Sequence, residues 1–294
     1  MQVAISMRSV HEALLQGEMS IIGFLKYAAS LAVDGVELDD IYLQGADVNC
    51  TEIKEILTET GLKVSCYDIH HRMEPLRWQE HEKALEKIKA ELAVAEFLGA
   101  EYVQIVGEAF DPTVSAKDVE TLILELVDMV LPALQGRDLM LAIENPESAE
   151  FQSHHMAGLL KQIDNPQVKV GFNMANSLVA GEDPEVALER LKDHIAHVRA
   201  VDVRLAHQDE EPQNGGYVGC VIGLGLVPLK KLFQVLKAKG YEGWISLEFK
   251  GLRRHTLAPK PASRTYGSPS WNCRATSCTQ MNLEICFNYL TEIF

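Results

Sequence analysis

The stretch "GLGLVPLKKLFQVLKAKGYEGWISLEF", residues 223–249, holds one complete unit of the fold. A glycine-rich turn leads into an amphipathic helical pattern that opens on Pro228 and stops at Gly240. Proline suits a helix start because its missing N–H would have no intrahelical partner there, and glycine suits the stop because it turns left-handed without a steric cost. The short apolar run "WISLE" that follows reads as a buried strand ending on Glu248.

The same alternation extends through the chain. Strand patterns fall at 2–6, 34–39, 62–68, 101–106, 138–144, 168–173, 197–203 and 243–249. Helical patterns separate them. In "TEIKEILTETG" Ile53, Ile56 and Leu57 share a face before Gly61, and "HEKALEKIKAELAVAEFLGA" repeats Leu85, Ile88, Leu92 and Ala95. "PEVALERLKDH" again starts on proline. Eight strands with helices between them predict a single (β/α)8 barrel over residues 1–250. A doubly wound open sheet usually closes with fewer strands, and neither G-x-G-x-x-G after the first strand nor G-x-x-x-x-G-K-[ST] occurs. Residues 251–280 are rich in Pro, Ser, Thr and Arg and lack periodicity, which predicts an irregular basic extension. "MNLEICFNYLTEIF" then predicts a final helix within the 251–294 tail.

Composition narrows the function classes. The net charge is −15, and residues 1–249 carry 21 basic against 40 acidic side chains, a body that repels a phosphate backbone. Nucleic acid is therefore not expected as a partner. No apolar run reaches the roughly 20 residues needed to cross a bilayer, and "MQVAISMRSV" lacks the basic-then-apolar order of a signal peptide. Six cysteines without C-x-x-C pairs fit reduced thiols, so a cytoplasmic protein is expected.

Active sites of such barrels form at the C-terminal strand ends. Those positions hold Glu37, Asp39, Asp68, His70, Glu108, Glu144, Asn173, Asn176, Arg199, Asp202 and Glu248. Glu144 and Glu248 each end an otherwise apolar strand, where an ionised carboxylate needs a metal, a cation or a shared proton. His70 and Glu108 are placed to contact a substrate. The pair His154–His155 precedes a helix and reads as capping or surface. Arg204 and His207 lie beyond the seventh strand, with an anion-binding or surface role. "EEPQNGGYVGCVIGLG", 210–225, reads as a loop over the barrel mouth.

The segments "LAIENPE", "VGFNMANSLVAGEDPEVAL", "HVRAVDV" and "GLGLVPLKKLFQVLKAKGYEGWISLE" resemble, in order, the sugar phosphate isomerases/epimerases of the xylose isomerase-like TIM barrel superfamily. The resemblance implies a divalent metal (Mn²⁺, Mg²⁺, Co²⁺ or Zn²⁺) held by Glu, Asp, His and Glu after strands five to eight. Those positions fall on Glu144, Asn173, Arg199 and Glu248. Asn176 closes the "N-M-A-N" segment, and Asp202 matches the aspartate of an "H-x-K-D" motif whose lysine is Val201 here.

Two of the four implied ligands are therefore changed. Asp to Asn removes a negative charge and His to Arg adds a positive one, which together match the charge of a departed M²⁺. A guanidinium can bridge two carboxylates but cannot ligate a metal. The expectation is that Arg199 lies between Glu144 and Glu248 in the metal's place. The alternative keeps a metal on Glu144, Asn173 and Glu248, with His70 supplying the missing imidazole. The reaction implied by the resemblance moves a proton next to a carbonyl through an enediolate, with Glu144 and Glu248 as acid and base, Arg199 or a metal as electrophile, and His70, Glu108, Asn176 and Asp202 on the substrate. The partner is then a small sugar or sugar phosphate, and a homo-oligomer is compatible with the sequence. A disarmed barrel that binds a sugar or polyol is the second hypothesis. A phosphodiesterase would need a histidine-rich metal cluster and is the third.

Overall fold

The computed structural model describes residues 1–31, 33–44, 48–70, 78–106, 114–210, 212 and 214–250. Its strands are β1 Gln2–Ser6, β2 Gly35–Asp39, β3 Lys63–His70, β4 Ala100–Val106, β5 Met140–Glu144, β6 Val168–Asn173, β7 Ile195–Ala200, β8 Val203–Leu205, β9 Tyr217–Gly219 and β10 Trp244–Leu247. Eight of them close a parallel barrel in the order β1-β10-β7-β6-β5-β4-β3-β2, the (β/α)8 architecture the spacing predicts. The 251–294 extension, with its expected helix, lies outside the described residues.

The seventh strand departs from expectation. Its pattern predicts 197–203, but β7 ends at Ala200, and Val203 joins β8 in an antiparallel ladder with β9. Beyond β7 the Asp202 side chain accepts from backbone N–H groups of the turn after β9, not from groups of the barrel wall. The 210–225 segment thus supplies a strand of this ribbon.

Helices sheath the barrel where local chemistry starts them. The Ser20 hydroxyl accepts from Gly23 N at 3.0 Å, Asn49 from Thr51 N at 3.0 Å, and Asp183 from Glu185 N at 2.8 Å. Pro184 occupies the first turn as expected, while Pro228 stands at the cap of Leu229–Ala238, one place earlier than read from the pattern. Leu229, Leu232, Phe233 and Leu236 of that helix are buried against the barrel, and the outer core continues through residues such as Phe24, Ile53, Leu92 and Val130.

Barrel interiors are commonly layers of Val, Ile and Leu. Here Ser6, Glu37, Asp68, Gln104, His197, Arg199 and Ser246 are all buried. Arg199 lies on β7, diametrically opposite β3 in the strand order, yet bonds Asp68 of β3. Such a contact can only run through the interior, so a polar layer crosses the barrel beneath its mouth.

Candidate active site

Arg199 is the centre of that layer and is 2% exposed. Its Nη1 donates to Glu144 at 2.8 Å, and its Nη2 to both Asp68 oxygens at 2.9 and 3.0 Å. Nη2 also lies 2.9 Å from Glu37 Oε1, and Nε lies 3.3 Å from Glu248 Oε2. Four carboxylates from four strand ends therefore meet one guanidinium. Burial opposes its charge, but Asp68, Glu37, Glu144 and Glu248 hold it protonated. One cation cannot balance four anions in a dry interior. Accordingly, burial pushes Asp68 well above the usual carboxylate range against the pull of Arg199. Glu37 goes the other way: burial opposes its ionisation, yet Arg199 and then His197 lower its pKa. His197, 3.5 Å from Glu37, is pushed down to about 4 by burial.

Glu144 is anchored from four sides. Gln104 Nε2 and Arg199 Nη1 donate to its Oε2, and the side-chain amides of Asn173 and Asn176 donate to its Oε1 at 2.8 and 2.9 Å. Gly171 makes room for Gln104, whose amide oxygen would collide with any Cβ there. Burial opposes ionisation of Glu144, but Arg199, Lys250 and the Asn173 amide hold it below the ordinary carboxylate range. Its side chain is 21% exposed, so this anchored carboxylate faces the mouth. Glu248 differs: its Oε2 is buried with no hydrogen bond to a described residue.

These residues do not fit a metal at the family's position. The Arg199 guanidinium occupies the space between Glu144 and Glu248. Asn173 turns its amide N–H to Glu144 and its oxygen to Ala175 N at 3.1 Å, capping the next helix, so its one ligating atom is engaged. Among the described residues, the group of three donors close enough to share an ion is Asp39, Asp40 and His70, with ligand atoms within 4.8 Å of one another. Cations already hold it: Arg8 on Asp39 at 3.1 Å, and Lys87 on Asp40 at 2.9 Å.

His70 ends β3 at the mouth, 26% exposed. Its Nδ1 faces Asp40 at 2.8 Å and Asp39 at 3.1 Å, and Arg8 Nη2 lies 2.8 Å from its Nε2. Burial lowers the imidazole's pKa, but Asp39 and Asp40 overcome that and push it up to about 9. The Arg8 contact requires the opposite, a bare Nε2 that accepts. The arrangement is that of the neutral Nδ1–H ring, and protonation at Nε2 must release Arg8.

The remaining expectations divide. Asn176 joins Glu144, as described. Asp202 does not face the site: it is 1% exposed and accepts from the backbone N–H groups of Val203, Gly223, Gly225 and Val227 at 2.9–3.1 Å. Four donors use the lone-pair sites of a carboxylate, which corrects its assignment to substrate. The G-x-G segment exists for this contact, since a Cβ at Gly225 would collide with the Asp202 carboxylate. Arg204 pairs bidentately with Glu210 at 2.7 and 2.6 Å on the hairpin, and His155 Nδ1 accepts from Gln152 N, a capping role. Glu108 lies outside the described residues. Sequence reading overlooked Arg8, Gln104 and His197. A charged residue two places after the first strand was the signal for Arg8; nothing local marks the others.

The family model for the xylose isomerase-like TIM barrel matches residues 25–266. The chain belongs to this family. Among curated proteins, this xylose isomerase-like barrel is 30% identical over 100 residues to an inosose dehydratase of Lacticaseibacillus casei, an alignment covering 31% of the chain and 33% of that protein. The match thus spans about a third of the relative's length. Among solved structures, the probable 3-DHS dehydratase AsbF of Bacillus anthracis superposes with a TM-score of 0.72 at 14% identity, covering 99% of each chain. D-psicose 3-epimerase, crystallised with D-fructose, gives 0.72 at 12% identity over 100% and 99%. An IOLI protein with a bound zinc atom gives 0.70 at 13% over 100% and 98%. At these identities the likeness is one of fold. The names among these relatives include a dehydratase and an epimerase. Among the described residues, no helix is long and apolar enough to cross a membrane.

Proposed function

We propose that this protein is a metal-independent sugar isomerase or epimerase that moves a proton next to a carbonyl through an enediolate. The observation that carries the reading is Arg199 bonded at once to Glu144 and three other carboxylates, at the position where the family resemblance implies a metal. Arg199 is a positioning residue: its guanidinium holds Glu144 through Nη1 and Glu248 through Nε.

Glu248, whose buried Oε2 makes an ion contact with Arg199 but no hydrogen bond to a described residue, takes the proton from the carbon bearing a hydroxyl, and the electron pair moves onto the carbonyl oxygen. Glu144 accepts the substrate hydroxyl and passes that proton to the former carbonyl oxygen. Glu248 then returns its proton to the adjacent carbon, which completes an isomerisation. In an epimerisation the hydroxyl keeps its proton, water delivers a proton to the original carbon from the opposite face as the carbonyl re-forms, and Glu248 releases the proton it took to the hydroxide left behind. The Asn176 amide keeps Glu144 aligned, and His70 contacts substrate hydroxyls at the mouth. A second reading, dehydration, is favoured by the similarity to inosose dehydratase. It shares the first step and then expels a neighbouring hydroxyl as water.

The test uses chelator-treated protein in D₂O with D-fructose, D-psicose and inosose, followed by proton NMR. Deuterium is expected to enter next to the carbonyl without added metal, and Glu248→Gln is expected to stop it. Exchange that appears only after Mn²⁺ is restored overturns the metal-independent reading. Binding without exchange on any ketone establishes the disarmed, sugar-binding alternative, whereas a rising enone absorbance establishes dehydration.

A further inference from the structure

Among the described residues, the polar layer holds Arg199 and the mouth holds Arg8, and only Arg8 keeps a donor open to a ligand. Arg199 is 2% exposed, and its nitrogens bond carboxylates on four strands. Turning it to a substrate would strip buried carboxylates of their counter-ion, which is costly. Arg8 follows β1 and its side chain is 27% exposed. Its Nε is fixed by Asp39 Oδ2 at 3.1 Å, and its Nη2 touches only the half-open His70. Its Nη1 makes no hydrogen bond to a described residue.

The bracing behind Arg8 is unequal in a useful way. Asp39 is 1% exposed, and its other oxygen accepts from Ile41 N at 3.1 Å, so the Nε anchor is rigid. His70 is itself steered by Asp40, which takes both its ring Nδ1 and its backbone N–H. Arg8 can therefore exchange His70 for an incoming oxyanion while Asp39 still holds it, and the imidazole released is one that takes up a proton readily. Burial opposes the charge of Arg8, but Glu248 and then Asp68 raise its pKa against the push of Arg199, so it stays a cation.

We infer that Arg8 is the substrate-facing cation of this site, receiving through Nη1 and Nη2 the oxyanion that forms on an α-hydroxy ketone, with Asp39 and His70 as its positioning residues. The inference rests on the enediolate reading above and adds the residue that neither the sequence pattern nor the family's implied ligand set contains. In that division of labour Arg199 orders the carboxylates and Arg8 stabilises the charge the reaction creates.

The probe is threonohydroxamate, a planar anionic mimic of an enediolate, compared with the uncharged threonamide by titration calorimetry on the full chain. Wild type is expected to prefer the hydroxamate by about 100-fold or more, as transition-state mimics are preferred. Arg8→Met is expected to lose that preference while still binding the amide, and Arg8→Lys to keep part of it. A preference unchanged in Arg8→Met, or absent in wild type, overturns the inference. Should Arg8→Met fail to fold by circular dichroism, the wild-type protein gives the answer. Phenylglyoxal should modify Arg8, and the hydroxamate should protect it; modification without protection overturns the assignment. The two proposals separate cleanly. Arg8-dependent hydroxamate binding without deuterium exchange removes the enzyme reading and keeps the site. Exchange that is as fast in Arg8→Met as in wild type removes the site and keeps the enzyme.

Discussion

The β5–β7 wall and the β1–β3 wall of the barrel mouth solve the same problem in opposite ways. On the first, Glu144 is locked by Gln104, Asn173, Asn176 and Arg199, with the arginine almost wholly buried. On the second, Arg8 and His70 are about a quarter exposed and hold each other through a contact that one proton can break. The first wall resembles a structural core made of charges. The second can change partners. Buried, saturated charges fix geometry, whereas partly exposed ones with a donor to spare can respond to a ligand.

The largest effect expected from that contrast is at Arg199. Arg199→Met leaves four carboxylates without their shared cation and should cost about 3–5 kcal/mol in urea denaturation, the range for breaking a buried ion pair. The pH dependence should also change. In wild type Glu37 and Glu144, held below the ordinary range, contribute stability that is lost as pH falls, while Asp68, held above it, contributes the reverse. Without Arg199 all three keep their protons to higher pH in the fold than in the unfolded chain, so the variant should lose more stability than wild type as pH rises. A variant as stable as wild type at pH 8 would mean that the wall is not held by charge.

His197 offers an intermediate test of how dry the interior layer is. Its imidazole binds a proton near pH 4 in the fold and near 6.5 once exposed. Between those values the unfolded chain holds more protons, so this contribution is intact above 6.5 and disappears as pH falls towards 4. The shift corresponds to about 3 kcal/mol. Melting curves from pH 7 to 4 should therefore steepen relative to those of His197→Asn. Parallel curves would show that solvent reaches the layer. The smallest effect belongs to the hairpin, where Arg204 and Glu210 form an ion pair open to water. Arg204→Ala should leave the denaturation midpoint of wild type unmoved, and a clear shift would make the hairpin part of the site's framework.

Much of this architecture was legible. Short apolar runs alternating with amphipathic stretches specified the barrel, and Glu144 and Glu248 announced themselves as charges closing apolar strands. The substitution of Arg199 for a histidine was visible as a change of charge. Two of its partners, Glu144 and Glu248, were expected; Glu37 and Asp68 were not, because they look like the other carboxylates near strand ends. Asp202 misled for a related reason: its motif position suggested a ligand contact, but the chain leaves the barrel at Val201 and spends the carboxylate on four backbone N–H groups.

The sequence by itself determined the number and order of strands, the helices between them and the residue types available at the mouth, because hydrophobic periodicity and caps act over a few neighbours. Only the tertiary structure decided which charge meets which. Closing the barrel brings β7 opposite β3, so Arg199 meets Asp68 across 131 positions of chain, and it brings Arg8 to His70 across 62. Pairings of that range follow from the circumference of the closed sheet, which no local pattern encodes.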